Sequence, residues 1–152
     1  VRERFAEALA ATMPAPLPRV LLCVSASDAV DAAIRLAMLH TQRPKVISAD
    51  GGYHGGSAYA VAVGDARFRD PVRGQAPGFA QVRFGDAAAI EKEIDARTAA
   101  VIMETIPASY GMPIPPDDYY ARIRTACDRH GAALIIDASI SDRFSTVPLT
   151  VE

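Results

Sequence analysis

Two carboxylates in this sequence each end a short apolar run. Asp137 follows residues 132–136, and Glu104 follows residues 99–103. Such runs predict strands buried on both faces, and open α/β sheets bind ligands at the carboxyl ends of their strands. A buried carboxylate needs a partner, which for Asp137 could be a cation, a metal ion or several N–H donors. Glu104 could equally pair with an arginine. A two-carboxylate hydrolase is conceivable, but no spacing supports it specifically.

A possible anion site lies at Ser25-Ala26-Ser27-Asp28, between an apolar run and a helical pattern. The free N–H groups and the dipole of a helix start bind anions such as phosphate, and the small side chains here would let an anion reach the backbone. The alternative is an ordinary capping turn, because Ser and Asp are common N-caps. The standard nucleotide fingerprints, GxGxxG after the strand and GxxxxGK[ST], are absent.

A glycine-rich loop, residues 51–56, surrounds an aromatic pair. Its glycines permit unusual backbone angles and a close approach to a ligand. Tyr53 could stack on a planar ring, and His54 could act as an acid or base because its reference pKa is near neutrality. The alternative is a flexible turn with a half-exposed Tyr–His pair.

Composition favours one globular domain and excludes several function classes. The chain has 152 residues, is 50% hydrophobic and carries a net charge of −2. This charge argues against nucleic-acid or polybasic membrane binding, and no signal peptide or membrane-length apolar run is visible. Cys23 and Cys127 match no metal or redox spacing, which predicts two reduced core thiols in a cytoplasmic protein. The three histidines show no metal-ligand spacing, so we expect no metal.

Strand and helix patterns alternate along the chain. The predicted strands are residues 20–24, 45–49, 80–84, 99–103 and 132–137. The predicted helices are residues 2–12, 29–40, 86–97 and 117–129, with irregular loops at 64–78 and 107–116. On the second helix, we expect Ala29, Ala33, Leu36 and Ala37 to pack inward. The alternation predicts an α/β fold with three α/β/α layers and a mostly parallel sheet.

Taken together, these motifs resemble those of a known family. From about Arg19 onward, the chain resembles the large domain of class III aminotransferases, which are pyridoxal-phosphate (PLP) enzymes of fold type I. The segments that carry the resemblance are Ser25-Ala26-Ser27-Asp28, Gly52-Tyr53-His54-Gly55, Ala99 to Glu104, Pro115-Pro116-Asp117-Asp118-Tyr119 and Leu134-Ile135-Ile136-Asp137. The resemblance implies a PLP-dependent transferase-like large domain. We expect residues 1–18 to form an N-terminal helix with a proline linker, and residues 19–152 to form part of that large domain.

The resemblance also implies roles for individual residues. Asp137 would pair with the protonated pyridine nitrogen of PLP and keep the ring an electron sink. Backbone N–H groups of Ala26 and Ser27 would hold the phosphate, and Tyr53 would stack on the ring. The remaining implied cofactor contacts are His54 beside that tyrosine, Glu104 near the substrate side, and Ile140.

Several positions depart from the family pattern. The family's Asn and Gly at the helix start are Val24 and Ala26 here, and the Glu-Val-Gln after the aspartate is Ala138-Ser139-Ile140. The last change removes an apolar residue under the ring and an amide that bonds its phenolic oxygen. The Schiff-base lysine is also absent: the chain has only Lys45 and Lys92, and we expect both to be solvated surface charges.

These features lead to two functional hypotheses. The first is a piece of a PLP-dependent aminotransferase that moves an amino group between an amine or amino acid and a keto acid. Its lysine would lie in sequence outside this chain, so we expect these 152 residues alone to be inactive. The second is a catalytically inactive aminotransferase-like domain that serves as a binding or structural module. The expected partners are a small amine or keto acid and a second subunit or the rest of a longer chain.

Overall fold

The computed structural model of the chain describes residues 1–13, 17, 19–72 and 78–140. The strands are β1 (Lys45–Ala49), β2 (Phe79–Val82), β3 (Thr98–Glu104) and β4 (Ala133–Asp137). The helices are α1 (Arg2–Ala10), α2 (Ala26–Thr41), α3 (Ala58–Val63), α4 (Ala66–Arg69), α5 (Ala87–Glu93) and α6 (Tyr119–His130). Short 3₁₀ turns lie at Asp70–Val72 and Ala108–Tyr110.

The four strands form one parallel sheet in the order β2-β1-β3-β4. Parallel strands all end at the same edge of the sheet, so the carboxyl ends of β1, β3 and β4 lie side by side. The register of the last pair places Glu104 opposite Asp137. Every residue of β3 is buried, whereas β4 is only half-buried. The expectation of burial on both faces is therefore wrong for β4, because it lies at the edge of the described sheet with one neighbouring strand.

Helices cover both faces of the sheet, which confirms the predicted three-layer α/β/α fold. On one face, α5 and α6 pack through Ile90, Tyr119 and Ile123 against alternate residues of β1 and β3. On the other face, α2 and α3 pack through Ile34 and Val63 against the remaining alternate residues. Side chains of a strand point alternately to opposite faces, so the apolar run of β3 supplies both cores.

The packed face of α2 differs from the predicted one. Its buried residues are Val30, Asp31, Ile34 and Ala37, whereas Leu36 is 57% exposed. Only Ala37 was predicted correctly. The buried positions are spaced as i, i+1, i+4 and i+7, and the alanine-rich pattern allowed a neighbouring face to be chosen instead.

Two other predicted elements are wrong, and the helix capped by Asp86 is present but shorter than predicted. Residues 20–24 are not a strand, because they bond to no other strand of the described sheet, and Val24 is 95% exposed. The predicted loop at 64–78 contains α4 and a 3₁₀ turn, although residues 73–77 lie outside the described part. The helix from residue 86 ends at Glu93, since Ile94 is extended. Most of the proline linker, residues 14–16 and 18, also lies outside the described residues.

The corrected face of α2 can be tested with two substitutions. Ile34→Ala should lower the free energy of unfolding by about 2–5 kcal/mol, because it opens a cavity in a fully buried position. Leu36→Ala should change it by less than about 0.5 kcal/mol, because that side chain is largely solvated. Urea titration of both variants provides the measurement. A larger loss for Leu36→Ala would show that the helix packs through the face predicted from the sequence.

Candidate functional site

The carboxyl edge of the sheet holds a cavity of about 170 Å³. It brings together all seven residues that the sequence singled out for a cofactor site: Ala26, Ser27, Tyr53, His54, Glu104, Asp137 and Ile140. Gly55 of the glycine-rich loop and Ser139 line it as well, together with Ile106, Ala108 and Ser109, which carried no signal in the sequence. The two carboxylates come from the ends of adjacent strands, and the Tyr–His pair comes from the loop that follows β1.

Asp137 has its partners within the protein. Its Oδ2 lies 2.9 Å from His54 Nδ1, and its Oδ1 accepts bonds from the Ser139 N–H at 3.1 Å and the Ser139 hydroxyl at 2.5 Å. Burial of the carboxyl would raise its pKa, but the bonds from His54 and Ser139 outweigh burial and hold the pKa below its ordinary value. Asp137 is therefore a buried carboxylate that stays ionised.

The pKa of Glu104, unlike that of Asp137, is raised above its ordinary value. Glu104 is 9% exposed, and its Oε1 accepts the Tyr53 N–H at 2.9 Å. Burial, followed by the negative charge of Asp137, raises the pKa of Glu104, against the opposing effects of the Tyr53 N–H and His54. The neighbouring strand ends thus hold one carboxyl that ionises easily and one that retains its proton to higher pH.

Two buried polar atoms at this edge have no hydrogen-bond partner among the described residues: Glu104 Oε2 and His54 Nε2. Ligand atoms of His54, Glu104 and Asp137 lie within 4.8 Å of one another, a group that could also hold a cation. However, the Nδ1 atom of the imidazole and one oxygen of Glu104 are already engaged, as are both oxygens of Asp137. This leaves the two unpartnered atoms as the readiest ligands, fewer than a typical structural metal site uses.

The glycine-rich loop is held at nearly every residue, in contrast to the flexible turn considered from the sequence. Gly51 donates its N–H to Asp65 Oδ2 at 2.9 Å, and its carbonyl accepts from Arg67 at 3.3 Å. The Tyr53 ring meets the edge of Phe68 at 4.9 Å between centroids. These supporting residues lie in and before α4. The sequence analysis missed them because it assigned residues 64–78 to an irregular loop.

The same loop packs against the start of α2. The Gly56 N–H donates to Ser27 Oγ at 3.2 Å. Gly55 has a φ of +128°, and a Cβ at this position would lie 2.7 Å from Ser27 Cβ and 2.9 Å from Ser27 Cα. Only glycine fits this close approach without displacement.

The first turn of α2 is closed by its own cap. The N-cap Ser25 accepts the Asp28 N–H through its Oγ at 3.1 Å, and Asp28 Oδ2 accepts the N–H of Val24, the residue before the cap, at 3.2 Å. The capping turn considered from the sequence is therefore present. The first-turn N–H groups of Ala26 and Ser27 have no preceding helical carbonyl to bond, so they can still receive an anion.

Comparison with known proteins identifies the family. A family model described as aminotransferase class III matches residues 2–139. The chain belongs to the class III aminotransferase family. A relative from Archaeoglobus fulgidus, described as an uncharacterized aminotransferase, is 51% identical over 136 residues. The match covers 90% of this chain and 32% of that protein, so the chain spans about a third of the length of this curated relative.

Solved structures of aminotransferases share the fold. A transaminase from the marine bacterium Virgibacillus has a TM-score of 0.79 at 26% identity, over 88% of this chain and 34% of that one. An amine transaminase from an uncultivated Pseudomonas species, solved in a PLP-bound form, has a TM-score of 0.71 at 27% identity, over 89% of this chain and 36% of that one. The predicted family and fold are therefore confirmed.

The arrangement of the cavity fits the cofactor of this aminotransferase family. A phosphorylated pyridine needs an anion site and a carboxylate on the ring nitrogen, together with an aromatic face. The cavity offers these in the first turn of α2, in Asp137 and in Tyr53. It also contains two buried polar atoms that no described residue bonds, as expected where a polar ligand binds.

Neither lysine of the chain lies at this cavity. Lys45 opens β1, at the opposite edge of the sheet, and its ammonium bonds the carbonyl oxygen of Glu93 and the carboxylate of Asp95. Its side chain is 15% exposed, so the expectation that it is a solvated charge is wrong. Lys92 is exposed on α5, as expected. Within this chain, no lysine is placed for a covalent bond to a ligand in the cavity.

The contact between Gly55 and Ser27 predicts that alanine substitutions at the adjacent residues Gly55 and Gly56 differ strongly in their effect on stability. Gly55→Ala should destabilise the chain by about 1–3 kcal/mol or more, because the backbone is in the left-handed region and the new Cβ meets Ser27. Gly56→Ala should be near neutral, because a Cβ there meets nothing within 4 Å. Equilibrium unfolding of the two variants compares them directly. Equal losses would show that the loop does not pack on α2 as described.

The raised pKa of Glu104 predicts a pH dependence of stability. A carboxyl whose pKa is higher in the folded state contributes stability below its ordinary value of 4.5, and this contribution is lost as pH rises through the folded pKa. The Glu104→Gln variant should lack this loss, so its stability relative to the original chain should increase as pH rises from about 4.5. Urea titrations across pH 4–8 measure the difference. A difference that is flat with pH, or one that falls, would contradict the raised pKa.

Proposed function

We propose that this chain is part of a pyridoxal-phosphate-dependent class III aminotransferase, which transfers an amino group between an amine or amino acid and a keto acid. The observation that carries the proposal is Asp137. It is a buried carboxylate with a lowered pKa, and it shares one cavity with the first turn of α2 and with Tyr53. Family membership supports the reaction class, and the PLP-bound relative supports the cofactor.

Each end of the cavity would hold a different part of the cofactor. The free N–H groups of Ala26 and Ser27 would bind the phosphate, with the α2 dipole favouring its negative charge. Tyr53 would cover one face of the ring, and Ile140 would contact the ring from the end of β4. Bound pyridoxal phosphate supplies an electron sink for chemistry at the substrate carbon.

The protein's part in this chemistry is to keep a negative charge at the ring nitrogen. A carboxylate stabilises a protonated pyridine nitrogen only while it is ionised. His54 and Ser139 hold Asp137 in that state and fix its orientation. In this proposal, His54 acts through Asp137 rather than as an acid or base on substrate, since its side chain is buried against the carboxylate.

We also propose that the chain works in the cytoplasm and assembles with a second copy or with the rest of a longer chain. Both cysteines are free thiols, although Cys23 is only half-buried. No described helix is both long and apolar enough to cross a bilayer. Several large apolar side chains are exposed to solvent. Ile106 lines the cavity, and Ile114, which lies outside it, is 93% exposed. Such surface is typical of an interface.

A second candidate function is a binding module of the same fold that does not transaminate. Ser139 favours it, because its N–H and hydroxyl both bond Asp137 Oδ1 where the family has an apolar residue. With His54 on the other oxygen, both carboxylate oxygens are engaged before any ligand arrives. Such a module would still bind a phosphorylated ligand at α2 but would gain little from the carboxylate.

A cofactor analogue separates the two candidates. 4′-Deoxypyridoxine 5′-phosphate has no aldehyde, so its binding needs no lysine. Asp137→Asn should weaken this binding at least tenfold, about 1.4 kcal/mol, because the amide cannot balance a protonated ring nitrogen. Isothermal titration calorimetry gives the dissociation constants, and Asp117→Asn, an exposed acid outside the cavity, is the control. Binding that is unchanged in Asp137→Asn would favour the non-enzymatic module.

A further inference from the structure

Glu104 bonds the backbone of the glycine-rich loop, a contact that is not required for binding a ligand. It ends β3, the strand buried along its whole length, and its Oε1 accepts the backbone N–H of Tyr53. The bond joins positions 51 residues apart, so it connects the loop after β1 to the end of the neighbouring strand. A side chain on a fully packed strand is a rigid anchor for a loop.

The Glu104 bond is the one that ties the main chain in the middle of the glycine-rich loop to the sheet. Gly51 is held through α4 and the residue before it, and Gly56 is held by Ser27. Between them, four groups have described partners: the Gly52 carbonyl accepts the Asp65 N–H at 2.9 Å, the Tyr53 N–H donates to Glu104, the His54 side chain bonds Asp137, and the Tyr53 ring meets Phe68. The first two fix the main chain at the peptide group between Gly52 and Tyr53, and of these only the Glu104 bond ties that peptide group to a strand of the sheet.

This position is electrostatically unfavourable for a carboxyl. Glu104 lies opposite Asp137 in the sheet register and is buried beside it, and no arginine or lysine among the described residues forms an ion pair with it. The alternative considered from the sequence, pairing with an arginine, is therefore not found among the described residues. The bond to the Tyr53 N–H is the hydrogen bond that offsets the burial of its side chain, with a smaller favourable effect from nearby His54.

We propose that Glu104 is a positioning residue, which places Tyr53 and His54 by accepting the Tyr53 N–H and thereby sets how tightly the cavity binds a planar phosphorylated ring. The part that concerns the ring rests on the proposed function, whereas the part that concerns the loop does not. The charge of Glu104 is not required for this role, because a neutral amide oxygen can accept the same bond. The length of the side chain and an acceptor at its end are required.

Three substitutions separate these requirements. Glu104→Gln keeps the length and an acceptor and removes the charge. Glu104→Met keeps the length without a strong acceptor. Glu104→Asp keeps the charge but shortens the side chain by one methylene, and it provides a second acceptor-loss variant should Met not fold. Asp117→Asn changes an exposed acid outside the cavity and serves as the control.

Hydrogen–deuterium exchange of the full chain without ligand tests the loop directly. In Glu104→Met and Glu104→Asp, amides of residues 51–56 should exchange at least tenfold faster, while β3 peptides keep their original rates. In Glu104→Gln, the loop should exchange within about threefold of the original rate. Unchanged loop exchange in Met and Asp would overturn the proposal. Equal acceleration in the loop and in β3 would also overturn it, because that would show general destabilisation instead.

Affinity for 4′-deoxypyridoxine 5′-phosphate tests the consequence for the site. Glu104→Met and Glu104→Asp should bind it about tenfold more weakly, and Glu104→Gln within about threefold of the original chain. Gln binding as weakly as Met would show that the charge matters rather than the bond, and would overturn the positioning role. If the original chain does not bind the analogue, the proposed function fails, and loop exchange alone decides whether Glu104 holds the loop.

Discussion

The hydrogen bond between His54 and Asp137 is the interaction on which the arrangement of the cavity depends. It joins a side chain of the loop after β1 to the carboxyl end of β4, two strands away in the sheet. An unpaired carboxylate in this place would be costly to bury and would be expected to take up a proton. With the imidazole and Ser139 bonded to it, Asp137 is ionised in a largely buried position. The charge that suits a protonated ring nitrogen is therefore maintained by the protein's own contacts.

The parallel sheet makes that bond possible. Since β1, β3 and β4 run in one direction, their closing residues and following loops share one edge. Helices α2 and α3 cover one face and α5 and α6 the other, so this edge is left as the place where polar groups can reach both solvent and ligand. The apolar strands thus fix the position of the acids, and the acids in turn hold the loop.

Rigidity of the glycine-rich loop comes from outside the loop itself. Asp65, Arg67 and Phe68 support its first half, and Ser27 supports its end. Arg67 also donates to the carbonyl of Ser109 at 2.7 Å, which ties this loop to the segment after β3. The glycine-rich loop is therefore ordered because neighbouring elements bond its backbone. Its glycines allow the backbone to pack closely against Ser27 rather than to move freely.

The fold class and the family could be predicted from the sequence, which also singled out seven residues that line one cavity. Apolar runs of five residues, such as residues 99–103 in β3, predict buried strands because helices cover both faces of a parallel sheet. The strand-end acids Glu104 and Asp137 and the small residues of the α2 start follow from that placement together with the family motifs. Local patterns are sufficient for these features because the periodicity of a strand or helix and the order of the motifs are written in neighbouring residues.

The tertiary structure alone decided which groups pair. Nothing in the local sequence relates His54 to Asp137, or the Tyr53 N–H to Glu104, because these contacts join residues 83 and 51 positions apart. The same dependence on residues distant in the sequence explains why several structural predictions are wrong. Residues 20–24 have the composition of a strand but bond to no strand in the described part of the chain. Helix α2 buries Ile34 rather than Leu36, and Lys45 forms ion pairs with Glu93 and Asp95. Pairing and burial depend on neighbours that are distant in the chain, and only the folded sheet brings them together.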